Sequence, residues 1–138
     1  MATLSLYADL AELAIIREFV EQESRGLGLS ERVISDLRLA VDEACTNVIR
    51  HAYDGQGGRI EVTIQPVASG IQVQVRDWAK GFDLSAVPAP DVTAPLEERP
   101  LGGLGLFLMR KMMDDVQFKF DATHGNTLTM IKLLDRMS

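Results

Sequence analysis

The chain is short of the features that bring covalent staples, membrane spans or polyanions into play. Among 138 residues there is one cysteine, Cys45, so no disulfide can form within the chain. That usage fits a reducing compartment, and a cytoplasmic location is the expectation. No apolar run approaches the roughly 18 residues that a membrane span requires, so no membrane association is expected. The opening MATLSLYADL has no basic segment followed by an apolar one, which argues against a secretory leader. Lys and Arg together number 14 against 20 for Asp and Glu, a net charge of −6. Such a chain has no general attraction for nucleic acid phosphates, so direct nucleic acid binding is not expected. An anionic ligand would have to be held by local devices: backbone amides, a helix start or a metal ion. Of the two histidines, His51 and His124, neither has the paired spacing of a structural zinc site. Nothing near Cys45 marks it as an activated nucleophile. There is no internal repeat and no low-complexity tract.

What remains is the composition of a soluble globular domain, 46% hydrophobic and 25% charged. The length suits one domain over residues 1–138 with a sizeable core. TLSLY (Thr3–Tyr7) alternates as a short edge strand. Asp9 followed by Glu12 resembles a capping box and predicts a helix to about Glu23. Its core face is expected to be Leu10, Leu13, Ala14, the stem of Arg17, and Val20. Ser30 caps a second helix to about Ala52, and YDGQGG stops it. RIEVTIQPV and GIQVQVRDW then alternate as an antiparallel hairpin, with Ile60, Val62 and Ile64 on one face and Ile71, Val73 and Val75 likewise. A stretch of roughly 20 residues with four prolines and no periodicity follows, long enough to suggest a functional lid at about 82–101. GLGLFLMRKMMDDV predicts a helix with Leu104, Phe107, Leu108 and Met112 toward the core. A second hairpin turns around Thr123–Asn126. The expected fold is α+β, a two-layer sandwich with a mixed, mostly antiparallel sheet covered on one face by about three helices.

Three local patterns carry chemistry. In VDEACTNVIRHAY (Val41–Tyr53), Glu43, Asn47 and His51 recur at steps of four. At about 100° per residue, Glu43 and Asn47 fall on a flank of the apolar arc formed by Val33, Leu37, Val41, Ala44 and Val48. There they can line a cleft while core packing fixes their backbone. On spacing alone they also read as a solvated pair. In VRDWAKGFD a strand ends in Asp77, with Gly81 four residues on; the plain reading of Asp77 is a turn former. In RPLGGLGLFLM, Gly102, Gly103 and Gly105 stand at the mouth of a helix, where bare backbone amides and the helix dipole suit a phosphate. The lysine of a Walker-type loop is missing.

The order of these pieces resembles the GHKL (histidine-kinase-like) ATPase superfamily, and most closely the bacterial anti-sigma factor serine-protein kinases. DEACTNVIRHAY and LEERPLGGLGLFLMRKMMD carry the likeness, which extends over nearly the whole chain. The resemblance implies a Bergerat-type ATP-binding fold with ATP and Mg²⁺ as cofactors. It implies that Asn47 is the magnesium ligand and that Glu43 is the general base. Asp77 would accept a hydrogen bond from the adenine amino group, with Gly81 letting the chain turn against the base. Gly103, Leu104 and Gly105 would offer backbone amides to the phosphates, and Arg99 would neutralise γ-phosphate charge. The family's Gly-Thr beside adenine is matched by GNT, where Asn126 or Thr127 could stand in. The first glycine box, usually D-x-G-x-G, has Ala79 at its middle glycine. The implied function is that of an ATP-binding anti-sigma regulatory factor with protein serine/threonine kinase activity. Its implied partners are an anti-anti-sigma factor that accepts phosphate, a sigma factor and a second copy of the chain as a homodimer. The alternative is a nucleotide-gated protein-binding regulator without significant phosphotransfer.

Overall fold

The computed structural model describes residues 1–53, 57–79, 103–121 and 123–134. The expected lid at about 82–101 lies outside the described residues, as do Gly81 and Arg99. In chain order the elements are β1 (Ala2–Ala8), α1 (Leu13–Gly26), α2 (Glu31–Asn47), β2 (Gly58–Val67), β3 (Gly70–Asp77), α3 (Gly103–Met112), β4 (Asp115–Asp121) and β5 (Gly125–Leu133). The strands form one sheet in the order β1-β2-β3-β5-β4, with β1 at an edge as its weak alternation suggested. Every pairing among them is antiparallel, so the mostly antiparallel sheet has no parallel pair among the described strands.

The pairing register decides what each strand contributes. One row across the sheet reads Leu4, Val62, Val75, Leu128, Phe118, and the next apolar row reads Ala2, Ile64, Val73, Met130, Val116. Val62, Ile64, Val73, Val75, Leu128 and Met130 are all buried beneath the helices. The alternate row, Ser5, Glu61, Arg76, Thr127, Lys119, belongs to the opposite, polar face. Alternation of side chains along a strand is therefore enough to assign each residue to the core or to the far face.

Ser30 caps α2 as expected, its Oγ accepting from the Val33 N–H at 3.3 Å. Along α2, Val33, Ile34, Leu37, Ala40, Val41, Ala44 and Cys45 are buried. This helix packs between α1 and α3. Burial pushes the Cys45 thiol up to about 12, which leaves it an inert small hydrophobe.

Two expected core stripes are corrected. In α1 the buried side chains are Leu13, Ile16, Val20 and Ser24, whereas Leu10 is 44% exposed and Ala14 and Arg17 are exposed. Asp9 does cap, accepting from the Ala11 N–H at 2.9 Å, but the turn it opens is 3₁₀, Leu10–Glu12. A 3₁₀ turn holds three residues rather than 3.6, so Leu10 falls out of phase with the helix that follows. Arg17 instead donates to the Asp42 carboxylate on α2 at 2.7 Å. Among the side chains described in α3, Met109 and Met113, just past the helix end, are buried, Leu108 and Met112 are half-buried and Phe107 is at the surface, while the Leu104 side chain lies outside the described residues. This helix is apolar nearly all round, so its periodicity did not select a face, and flexible methionines fill the gap.

Ser24 supplies a test of packing remote from the polar stripe. Its Oγ is fully buried in α1 and has no hydrogen-bond partner among the described residues. An unpaired buried hydroxyl is destabilising, and alanine is also the better helix former. Ser24→Ala is therefore expected to raise the urea midpoint by an amount equivalent to about 1 kcal/mol. A lowered midpoint would show that the hydroxyl has a partner after all.

Candidate functional site

The C-terminal end of α2 is where the regular helix gives way. After Asn47 the chain makes a π-helical turn, Val48–Ala52, a wider coil that is common near functional sites. Asn47 is 5% exposed, and its Nδ2 is buried without a hydrogen-bond partner among the described residues. One helical turn earlier, Glu43 is half-buried. Burial raises its carboxyl above the ordinary range, the neighbouring Asp42 adds to the rise, and Arg50 partly offsets it. The His51 side chain lies outside the described residues.

Asp77 ends β3 in the row Leu6, Ile60, Asp77, Asn126, Phe120, which continues the helix-facing rows of the core. It is 6% exposed. Burial raises its pKa, while hydrogen bonds from the Asn126 amide and the Ala79 N–H pull the other way. Both bonds fall on Oδ1, at 2.9 and 3.0 Å. A small cleft, open at its mouth, lies beside this carboxylate. Val48, Val75, Phe118, Phe120 and Leu128 give it apolar walls, and Asp77 and Asn126 give it a polar end. That is the chemistry of a site for a flat, largely apolar ring with a few hydrogen-bonding groups. Val48 follows Asn47 directly, so the cleft joins the α2 terminus to the end of β3.

The structure thus brings Asp77 and Asn126 together and places Asn47 and Glu43 on the adjoining helix. Thr127 also borders the cleft, but its register row is the opposite one, with Arg76 and Lys119. The side-chain contact with Asp77 belongs to Asn126. Gly103, Leu104 and Gly105 are the first three residues of α3. Their backbone N–H groups are those a helix leaves without intrahelical partners, which makes them available to an anion.

Several contributors escaped the sequence reading. The Tyr53 hydroxyl donates to the Arg59 carbonyl at 2.7 Å and accepts from the Trp78 N–H at 2.9 Å, tying the end of the α2 coil to the start of β2 and the end of β3. Gly58 leaves room for the Tyr53 ring, into which a Cβ would collide. Trp78 is covered by the guanidinium groups of Arg59 and Arg76, 4.4 and 5.4 Å from the ring centroid. These contacts join side chains to distant backbone, and only the glycine leaves a trace in the sequence.

Gly125 is held at φ +91°, and a Cβ there would lie 2.6 Å from the Asp77 carbonyl and 3.1 Å from the Trp78 ring. Left-handed strain and a clash with backbone combine at one position. Gly125→Ala is expected to lower stability by about 2 kcal/mol and to shift the emission of Trp78, the only tryptophan. A urea titration followed at that tryptophan reads both effects; an unchanged midpoint would contradict the tight approach.

No helix among the described residues is long and apolar enough to cross a membrane. Residues 6–132 match the family described as "Histidine kinase-like ATPase domain". The serine-protein kinase RsbW of Bacillus cereus is 34% identical over 128 residues, covering 90% of this chain and 79% of the relative. The Bacillus thuringiensis protein of the same name is 33% identical over the same shares. Among solved structures, the RsbU and RsbW domains of a Mycobacterium tuberculosis protein superpose with a TM-score of 0.67 at 16% identity. That match covers 99% of this chain but 33% of the longer one, and at such identity it bears on the fold alone. A five-stranded antiparallel sheet under three helices, a polar pair closing α2 and an acid closing β3 thus accompany similarity along most of the sequence. The chain belongs to the histidine kinase-like ATPase domain family, in the group of the serine-protein kinases RsbW.

Proposed function

We propose that this protein is an ATP-binding anti-sigma regulatory factor with protein serine/threonine kinase activity, working as one ATPase domain. The observation that carries the reading is the Glu43–Asn47 pair, one turn apart, beside an apolar cleft that ends in the Asp77 carboxylate.

Each residue has a task that its surroundings support. Asp77 accepts a hydrogen bond from the adenine amino group, and the phenylalanine-walled cleft takes the ring. Gly103, Leu104 and Gly105 offer N–H groups to the phosphates at the start of α3. Gly81 and Arg99 take the roles that the family likeness implies, a turn against the base and a counter-charge for the γ-phosphate. Glu43 removes the proton from the acceptor hydroxyl; the hydroxyl oxygen then bonds to the γ-phosphorus as the bond to the β–γ bridging oxygen breaks and ADP departs. A carboxyl that burial holds above its ordinary pKa is a stronger base once ionised, which suits this step.

The donor set also fits Mg²⁺. Asn47 is a buried amide with an unpaired end, and the terminal O and N of an amide exchange places by a simple flip. Mg²⁺ takes few protein oxygens and completes its octahedron with phosphate and water, which one amide can serve. When bound, the ion would neutralise charge on the β- and γ-phosphates. Asn47 would hold it.

The partners follow as part of the same reading: a small anti-anti-sigma protein whose serine or threonine accepts the phosphate, and a sigma factor that the protein sequesters in the cytoplasm. A homodimer is the proposed assembly. The test incubates the protein with γ-labelled ATP, Mg²⁺ and candidate anti-anti-sigma proteins. Label on a serine or threonine of one of them is the expected result. Retention of partners with ATP but no label on any of them would replace the kinase with a nucleotide-gated binder.

A further inference from the structure

The short turn that closes β3 is held by a hydrogen bond of its own and by others from two distant places in the chain. Asp77 Oδ1 accepts from the Ala79 N–H two residues on, at 3.0 Å. The Tyr53 hydroxyl accepts from the Trp78 N–H at 2.9 Å. The Asn126 amide, reaching across from β5, donates to Asp77 Oδ1 at 2.9 Å and to the Ala79 carbonyl at 2.8 Å. Position 79 is where the family pattern has a glycine, and a side chain there narrows the backbone's freedom. In this chain an amide from the neighbouring strand fixes the turn instead.

The consequence for the carboxylate is asymmetric. Oδ1 is engaged twice, and no described residue hydrogen-bonds Oδ2. Both N–H groups of the Asn126 amide are engaged as well, one by Asp77 and one by Ala79, so neither is free for a ligand. Asp77 and Asn126 together therefore present acceptors to the cleft and withhold the donors of the amide.

We propose that Asn126 is a positioning residue for nucleobase selection. It holds Asp77 with Oδ1 occupied and Oδ2 left as an acceptor without a partner among the described residues. The protein thereby prefers a purine with an amino group facing Asp77 over one with an oxo group there. The inference rests on the nucleotide-binding reading above. An oxo group set against a fixed carboxylate oxygen leaves two acceptors facing each other with no proton between them, and buried polar mismatches of that kind discriminate strongly. Without Asn126 the carboxylate keeps only the Ala79 N–H bond, the Ala79 carbonyl loses its donor, and the orientation of Asp77 is less firmly set. Thr127, on the alternate register row, makes no hydrogen bond to Asp77 among the described residues.

The experiment compares ATP with inosine triphosphate, which differs by an oxo group at the same ring position. Binding is read by calorimetry and by the emission of Trp78, on the full chain with Mg²⁺. The wild type is expected to favour ATP by about a hundredfold or more. In Asn126→Ala, ATP affinity falls about tenfold while that for inosine triphosphate holds, so the ratio narrows about tenfold. Asn126→Ser keeps one hydroxyl donor and is expected to retain part of the preference; it serves also if the alanine variant folds poorly. Equal losses for both nucleotides, with the ratio intact, would make Asn126 a fold residue only and overturn the inference. A wild type that binds neither nucleotide would instead overturn the nucleotide reading itself.

Discussion

Glu43→Gln is expected to stop phosphate transfer to the acceptor hydroxyl, lowering the rate by about a hundredfold to ten-thousandfold, while ATP affinity stays within about twofold of the wild type. Glutamine keeps the length and shape of the side chain but has no basic oxygen. The change therefore removes a group that acts only as the hydroxyl loses its proton, and leaves binding alone. A single-turnover assay with labelled ATP measures the first quantity, and calorimetry measures the second. Equal transfer by the two proteins would reassign the base.

The same residue sets a pH signature. Burial and Asp42 raise the Glu43 carboxyl above its ordinary 4.5, so the ionised base is populated only above that raised value. The transfer rate should climb as pH passes through it. Stability should move in the opposite direction. With the folded pKa above the unfolded one, the native state binds more protons in the window between them, and stability declines as pH rises through that window. Glu43→Gln removes this share of the slope, and what Asp77 contributes through its own raised pKa remains. Urea midpoints taken across acidic to neutral pH would show the difference between the two proteins.

How far the sequence reached depended on how local the governing rule was. Alternation in β2 and β3 placed Ile60, Val62, Val73 and Val75 on one face, and Asp77, two residues beyond Val75, follows them by parity alone. Leu128 and Met130 put Asn126 in the row of Asp77 and Thr127 in the alternate one by the same arithmetic, where motif matching left both open. The helical phase was less secure. A 3₁₀ turn shifted α1 by less than one residue's rotation and exposed Leu10. In α3 a surplus of apolar residues hid the buried face, since Met109 and Met113 have no sequence mark that Phe107 lacks. The polar pair on α2 was legible as a stripe, but the wide turn that follows Asn47 was not, because insertions into a helix come from packing and carry no residue signature. Contacts from Tyr53 to the Trp78 N–H and from Asn126 to the Ala79 carbonyl span 25 and 47 positions, beyond any spacing rule.

Asn47→Leu is expected to make the protein more stable and unable to bind Mg-ATP. In the fold as it stands, Asn47 brings a polar amide into the core with one end unpaired among the described residues, an arrangement that costs about 1–3 kcal/mol relative to a satisfied or apolar group. Leucine has the same four side-chain heavy atoms and the same branching as asparagine, is bulkier by its methyl hydrogens, and suits the end of an apolar arc that includes Ala44 and Val48. The urea midpoint should rise by an amount equivalent to about 1 kcal/mol. If the amide is kept for a magnesium ion, its loss should weaken Mg-ATP binding by about a hundredfold, the upper end of what even an outer-shell partner of a metal contributes. Metal-free ATP should bind the variant and the wild type alike, because the cleft around Asp77 is untouched. Ser24→Ala is the matched control: it removes the other unpaired buried polar side-chain atom among the described residues, far along the chain from Asn47, and should gain stability without any change in nucleotide affinity. A residue that weakens the fold yet is needed for the ligand is under a functional demand, and the two variants together separate that demand from a packing defect. Should Asn47→Leu lose stability and keep Mg-ATP, the amide would be a structural group and the ion would need another ligand.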